Sequence, residues 1–184
     1  MAVPIVLQDG PPEAPRTVTA PQATTTPPSA TSPPPASPSP PAIRPGRLSL
    51  QLGDGGLLTA RDDDVAVIAP AATDDRGRRR ATFVAVAGLA DPDCYSFRTL
   101  DGRYLRHYEL LARTDTPDGT AVFPKDATYC ALPGATPDAV ILRSHNYPQL
   151  CLRWTGTQLR IGYNDGSDKF RADSSFRIRS PLAG

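Results

Sequence analysis

Several residue types are scarce in this chain, and each scarcity closes off a function class. Cysteine occurs three times and histidine twice in 184 residues. No CxxC pair or His/Cys spacing suggests a zinc site, so no metal and no cofactor are expected. No apolar run approaches the roughly 20 residues that a bilayer-spanning helix needs. The formal net charge is +1, and only residues 74–80 (DDRGRRR) form a dense charge run. We read that run as a solvated hairpin tip rather than a phosphate-binding loop, and nucleic acid is not an expected partner. No nucleophile elbow of the G-x-S-x-G kind and no phosphate-cradling glycine loop is present. Helical periodicity over 10–12 residues is also missing, which turns the fold argument toward strands.

Aromatics are absent from the first 82 residues; all 12 lie from Phe83 onward. Residues 1–45 instead hold 14 of the 22 prolines. Rich in Pro, Ser, Thr and Ala, that stretch has too little apolar mass to offset chain entropy. It is expected to be an extended, disordered linker over 1–47. The opening MAVPIVLQDG has a short apolar run and no basic flank, so it does not read as a signal peptide. The folded unit is expected over 48–184, long enough for one domain with its own core.

What fills that unit is one pattern written three times. The central copy reads SFRTLDGRYLRH over 96–107 and closes with FPKDATY over 123–129. The last reads LRSHNYPQLCLRW over 142–154 and closes with FRADSSF over 170–176. The first is worn: LSLQLGDGGLLTA over 48–60, closing with RATF over 80–83. Leu58, Leu105 and Leu152 are equivalent, 47 residues apart, and Phe83, Tyr129 and Phe176 end the closing motifs. A unit of this size cannot bury its apolar face alone, so three must share a core.

Each copy alternates apolar and polar residues over short segments, broken by Asp101-Gly102, Asp118-Gly119, Asp165-Gly166 and Asn146-Tyr147-Pro148. Asp-Gly between apolar runs is a hairpin signal, and each copy has room for four strands. A propeller needs about four blades to close. Three units fit an all-β fold, the β-trefoil of three four-stranded repeats (about 48–90, 94–137 and 138–184), whose closure removes exposed sheet edges.

Polar positions diverge among the copies. His107 and Asp126 lie 19 residues apart in the central copy, and Trp154 and Asp173 keep that spacing in the last. The first has Ala60 and Arg80 there and is expected to be silent. A carboxylate accepts from two vicinal hydroxyls of a sugar through charge-assisted bonds, and an imidazole beside it can donate to a ring or hydroxyl oxygen. Tyr108, Tyr147 and Trp154 are candidates for the apolar face against sugar C–H groups. The competing role for Asp126 and Asp173 is to cap a turn through backbone amides. Glycoside hydrolysis needs two carboxyls about 5–10 Å apart; Asp126 and Asp173 are expected on different flanks of the barrel, so no catalytic residue is assigned. A Ser/His/Asp reading would enlist His107 or His145 with Ser96 or Ser144, and lacks a supporting motif. Cys94 enters the central copy and Cys130 leaves it, so a bridge between neighbouring ends and two buried thiols both fit; Cys151 is expected to be a packed thiol.

The sequence S-F-R…G-R-Y-L-R-H followed by F-x-x-D-A-T resembles the arabinose-binding domain of B-type α-L-arabinofuranosidases, carbohydrate-binding module family 42. The resemblance covers 48–184, including the inter-repeat segment at 87–91 (AGLAD), and is faint in the first copy. It implies a β-trefoil that binds arabinofuranose side chains of arabinoxylan or arabinan. It further implies pocket roles for His107 and Asp126, a corresponding role for Asp173, and a Cys94–Cys130 disulfide. Trp154 departs from the family histidine. The catalytic domain of such enzymes precedes the trefoil, whereas here a proline-rich segment does, so no hydrolysis is expected of this chain. The expected partner is an arabinose-substituted polysaccharide, met by a monomer outside the cell or at its surface. The alternatives are a structural or protein-interaction trefoil with a degenerate pocket, or a detached fragment of an arabinofuranosidase.

Overall fold

A closed ring of six antiparallel strands joins the two ends of the described chain. The computed structural model describes residues 39, 41–53 and 55–184. The disordered linker expected over 1–47 lies, for residues 1–38 and 40, outside the described residues. The elements run β1 (Gly46–Leu52), β2 (Leu57–Ala60), β3 (Ala66–Ala69), α1 (Asp75–Arg80), β4 (Phe83–Ala87), β5 (Tyr95–Thr99), β6 (Tyr104–Tyr108) and β7 (Leu111–Asp115). They continue with α2 (Phe123–Asp126), β8 (Tyr129–Pro133), β9 (Ala139–Ser144), β10 (Leu150–Trp154), β11 (Leu159–Tyr163), α3 (Asp168–Ser174) and β12 (Ser175–Arg179).

The ring runs β1–β4–β5–β8–β9–β12 and returns to β1, every pairing antiparallel. Hairpins β2–β3, β6–β7 and β10–β11 extend from it, one per unit. They meet one another through Arg160↔Leu111 and the Val65↔Arg113 bridge. This is a β-trefoil of three four-stranded units. Period-2 alternation makes it so: inward residues of each strand are apolar, and the ring gives them one shared interior.

The apolar positions that repeat in sequence converge there. Leu58, Leu105 and Leu152 are fully buried, as are Phe83, Tyr129 and Phe176. All six belong to one cluster with Leu50, Phe97, Leu142 and Ile43. Ile43 brings the segment before β1 into the core.

Two local expectations are corrected. Residues 74–80 form no hairpin tip: Asp74 Oδ1 accepts from Gly77 N (2.9 Å) and starts α1. The Asp-Gly pairs at 118–119 and 165–166 are not hairpin turns either. Asp118 and Asp165 fold back on the amides of Thr120 and Ser167, and those hydroxyls accept from Phe123 N and Phe170 N at the starts of α2 and α3. An Asx turn serves a helix start as readily as a hairpin, so the dipeptide alone does not distinguish them. Each helix is one or two turns, too short to show a 3.6-residue period. Asp101-Gly102 does join neighbouring strands, β5 and β6, with Gly102 at φ 96°.

Candidate functional site

The helix of each unit packs beside the first strand of its own hairpin, β2, β6 or β10, and the next unit's first loop closes the gap. This cyclic arrangement yields three pockets. In the first, Ala60 (β2) faces Arg76, Arg79 and Arg80 (α1) and residues 99–101. In the second, residues 106–110 (β6 and its turn) face Val122, Asp126 and Tyr147. In the third, Trp154 (β10) faces Ala172, Asp173 (α3), Leu52 and Gly53. The residue pairs picked from the repeat thus fall in corresponding places. His107 and Asp126 share the second pocket with Tyr108 and Tyr147; Trp154 and Asp173 share the third.

The second pocket, about 260 Å³, is the one that joins an imidazole to a carboxylate. His107 Nε2 lies 3.4 Å from Asp126 Oδ1 and 3.0 Å from Ser144 Oγ. Asn146 Nδ2 donates to Asp126 Oδ1 (2.7 Å), and Arg106 Nη2 reaches Oδ2 (3.4 Å). His107 and Asp126 are 2% and 7% exposed, so they form the pocket floor with protein partners of their own. Tyr108 and Tyr147, 51% and 43% exposed, stand at the rim, and the His107 and Tyr147 rings are tilted at 5.4 Å. The rim turn at Glu109 and Leu110 holds two left-handed residues (φ 49° and 67°), an uncommon conformation for side chains of that size.

Burial, with the positive Arg106 adding to it, lowers the His107 pKa below the ordinary 6.5, against the opposing pull of Asp126. The imidazole is therefore neutral near pH 7. Both Ser144 and Asp126 approach the same ring nitrogen. A hydrolytic triad needs its acid on Nδ1 and its nucleophile on Nε2, and Ser144 Oγ already accepts from Tyr147 N (3.1 Å). Ser96 bonds the Ala127 carbonyl instead, and His145 sits beside Asp91, Nδ1 to Oδ2 3.8 Å.

Arg106 is buried and was not singled out from sequence. It contacts Asp115, Asp118 and Asp126 and stacks on Phe123 (4.9 Å) and Tyr108 (5.2 Å). The third unit repeats the device: Arg153 stacks on Phe170 (5.5 Å) and donates to Asp173 Oδ2 (3.0 Å), which Lys169 also reaches (2.9 Å). The recurrence of Arg with Asp in two copies and its loss from the first was the available signal. Asn146 gave no such signal. Strand register explains why: Leu52↔Phe176, Thr99↔Phe83 and Ser144↔Tyr129 are corresponding pairs. From there to Leu58, Leu105 and Leu152 the chain takes six, six and eight residues. The last unit thus holds a two-residue insertion, and that longer loop presents Asn146 and Tyr147 to the neighbouring pocket.

A larger cavity, about 600 Å³, lies elsewhere, against residues 132–137, Ile141 and Arg171. Its walls are mostly apolar, and among the described residues they bring no group of charges together. Cys94 and Cys130 are bridged, with Cα atoms 4.4 Å apart, while Cys151 is a buried thiol packed on Ile141 and Phe170. Burial pushes its pKa up to about 11, which leaves it an unreactive thiol. No helix among the described residues is long and apolar enough to cross a membrane.

Residues 57–178 match the model of the alpha-L-arabinofuranosidase B (ABFB) domain. An arabinofuranosidase/B-xylosidase of Trichoderma koningii is 33% identical over 101 residues, which are 54% of this chain and 20% of that protein. The chain thus spans about a fifth of that relative's length. A crystal structure of an arabinofuranosidase complexed with arabinofuranosyl-alpha-1,2-xylobiose superposes with a TM-score of 0.69 at 28% identity, covering 79% of this chain and 33% of the other. The BEL beta-trefoil superposes with a TM-score of 0.59 at 15% identity, covering 77% and 97%, a likeness of fold alone.

Proposed function

Since the chain belongs to the alpha-L-arabinofuranosidase B (ABFB) domain family, we propose that residues 48–184 form a sugar-binding module for arabinofuranose side chains of a hemicellulose such as arabinoxylan or arabinan. The observation that carries this reading is the meeting of His107 and Asp126, 3.4 Å apart, on the floor of a small open pocket rimmed by tyrosines. An ionised carboxylate has about four acceptor positions, and the protein occupies some of them only at long range. Vicinal sugar hydroxyls take the remainder. With a carboxylate beside Nε2, the neutral imidazole keeps its proton there and offers Nδ1 as an acceptor. Tyr108 and Tyr147 supply apolar faces.

Trp154 and Asp173 line the third pocket, in which an indole face replaces the imidazole, which favours stacking over polar contact. We propose no hydrolysis by this chain: Asp126 and Asp173 line separate pockets, and the two His107 contacts fall on one nitrogen. The Cys94–Cys130 bridge favours an oxidising compartment and hence an extracellular setting.

A single pentose pocket makes few contacts, so a dissociation constant of about 1 mM is expected. Affinity electrophoresis on arabinoxylan and on debranched xylan tests the reading. Retention should be confined to the branched polymer, and Asp126→Asn should weaken it by roughly 10-fold, the loss of one charge-assisted bond. Equal retention on both polymers, or an unaffected variant, overturns it.

A further inference from the structure

The first unit has lost the acid and the imidazole yet keeps the cavity. Its pocket, about 200 Å³, is bounded by four arginines (Arg76, Arg79, Arg80 and Arg103) and two aspartates (Asp62 and Asp101). The second pocket, by contrast, sets two carboxyls (Glu109 and Asp126) beside one arginine. The same architectural position has therefore reversed its sign.

The arginines are only partly engaged. Asp62 Oδ2 receives Arg76 Nη2 at 2.7 Å and touches Arg80 Nη2, while Arg103 is held by Asp64 and Asp101. Arg79 is exposed and has no ion-pair partner among the described residues. The Arg76 side chain is 70% exposed despite its contact. Each guanidinium carries five N–H donors in a planar fork that matches a carboxylate, so several donors remain open at this mouth. Asp62, clasped by two of these side chains, shows that they already accommodate a carboxylate here.

We propose that the first-unit pocket binds a sugar carrying a carboxylate, a uronic acid residue, where its counterparts bind neutral sugar. This rests on the sugar-binding reading of the other pockets, because the shared position argues for a saccharide and the arginines argue for its charge. A carboxylated sugar on the same branched polymer would give the module two distinct points of attachment.

The test is a residue-resolved NMR titration of the whole chain with four probes: methyl glucuronide, methyl glucoside, inorganic phosphate and an arabinose-substituted xylooligosaccharide. The glucuronide should shift amides of α1 and residues 99–103, more weakly as salt is raised, and Arg79→Ala should reduce its affinity at least 3-fold, about the loss of one exposed charge contact. Absence of those shifts overturns the inference. So does an equal response to methyl glucoside, an equal affinity for phosphate (a bare anion site), or an unchanged Arg79→Ala. The arabinose probe reads the second pocket separately. Shifts around His107 without any glucuronide response sink only this inference, and the reverse pattern sinks only the arabinose assignment.

Discussion

Asp126 is held by three neighbours drawn from two places: Arg106 and His107, consecutive on β6 of its own unit, and Asn146 from the following unit. Such a group is positioned before any ligand arrives, which lowers the ordering cost of binding. His107 adds a pH dependence whose sign is fixed by burial. Its folded pKa is lowered, so between that value and the ordinary 6.5 the unfolded chain binds more protons. Stability from this residue is present above the ordinary range and is lost as pH falls through it toward the folded value. The thermal midpoint of His107→Gln should therefore fall less steeply than that of the parent protein from about pH 7 to pH 5. Parallel slopes would contradict this. Tyr129 offers a second test. Its hydroxyl is fully buried without a hydrogen-bond partner among the described residues, where the other units have Phe83 and Phe176. Tyr129→Phe removes an unsatisfied polar group and should raise stability by about 1 kcal/mol in a urea titration; a loss would show that the hydroxyl is satisfied.

Among the elements, the connections between units are as constrained as the strands. Gly88 follows β4, and its amide donates to the Cys94 carbonyl at 2.9 Å. A Cβ there would lie 2.4 Å from the Asp91 carbonyl oxygen and 2.7 Å from Thr128 Cγ2. Gly134 repeats the arrangement after β8, donating to the Ala139 carbonyl, with backbone atoms 2.7 Å from a Cβ. Backbone cannot swing aside as a side chain does. Gly88→Ala should thus cost about 1–3 kcal/mol by overpacking, measured by denaturant midpoint, whereas Gly102→Ala meets no atom and strains only its positive φ. Equal losses in the two variants would refute a steric role for Gly88. The β9–β10 loop shows the opposite use of a connection. Its two extra residues leave the barrel register intact and change only what the adjacent pocket contains.

For the molecule as a whole, closure is non-local. β1 pairs with β12 through Ser49↔Arg179, so the ring exists only when residues far apart in sequence meet. Non-local pairing carries a large entropic cost before contacts repay it. The Cys94–Cys130 bridge offsets part of that cost in the central unit by closing a 36-residue loop. The double variant Cys94→Ser/Cys130→Ser should lose about 2–4 kcal/mol of stability, read from urea unfolding with and without reductant. A parent protein insensitive to reductant and equal to the variant would show that the bridge contributes nothing.

The chain's own letters were enough for the architecture. Leu58, Leu105, Leu152 and their aromatic counterparts recur at nearly constant spacing, and burial of an apolar face is a demand that periodicity records directly. They were also enough to pair His107 with Asp126, because two of three copies kept a carboxyl that the third had dropped. Residues 74–80 and the later Asp-Gly pairs were misread because helices this short leave no period and Asx turns serve two purposes. Tertiary structure alone decided that each pocket borrows a loop from the next unit. Asn146 and Tyr147 arrive through an insertion that a shorter stretch elsewhere conceals in the 47-residue spacing. It alone decided, too, that Arg76, Arg79, Arg80 and Arg103 converge on one cavity, since cyclic closure sets side by side groups that the linear order keeps apart.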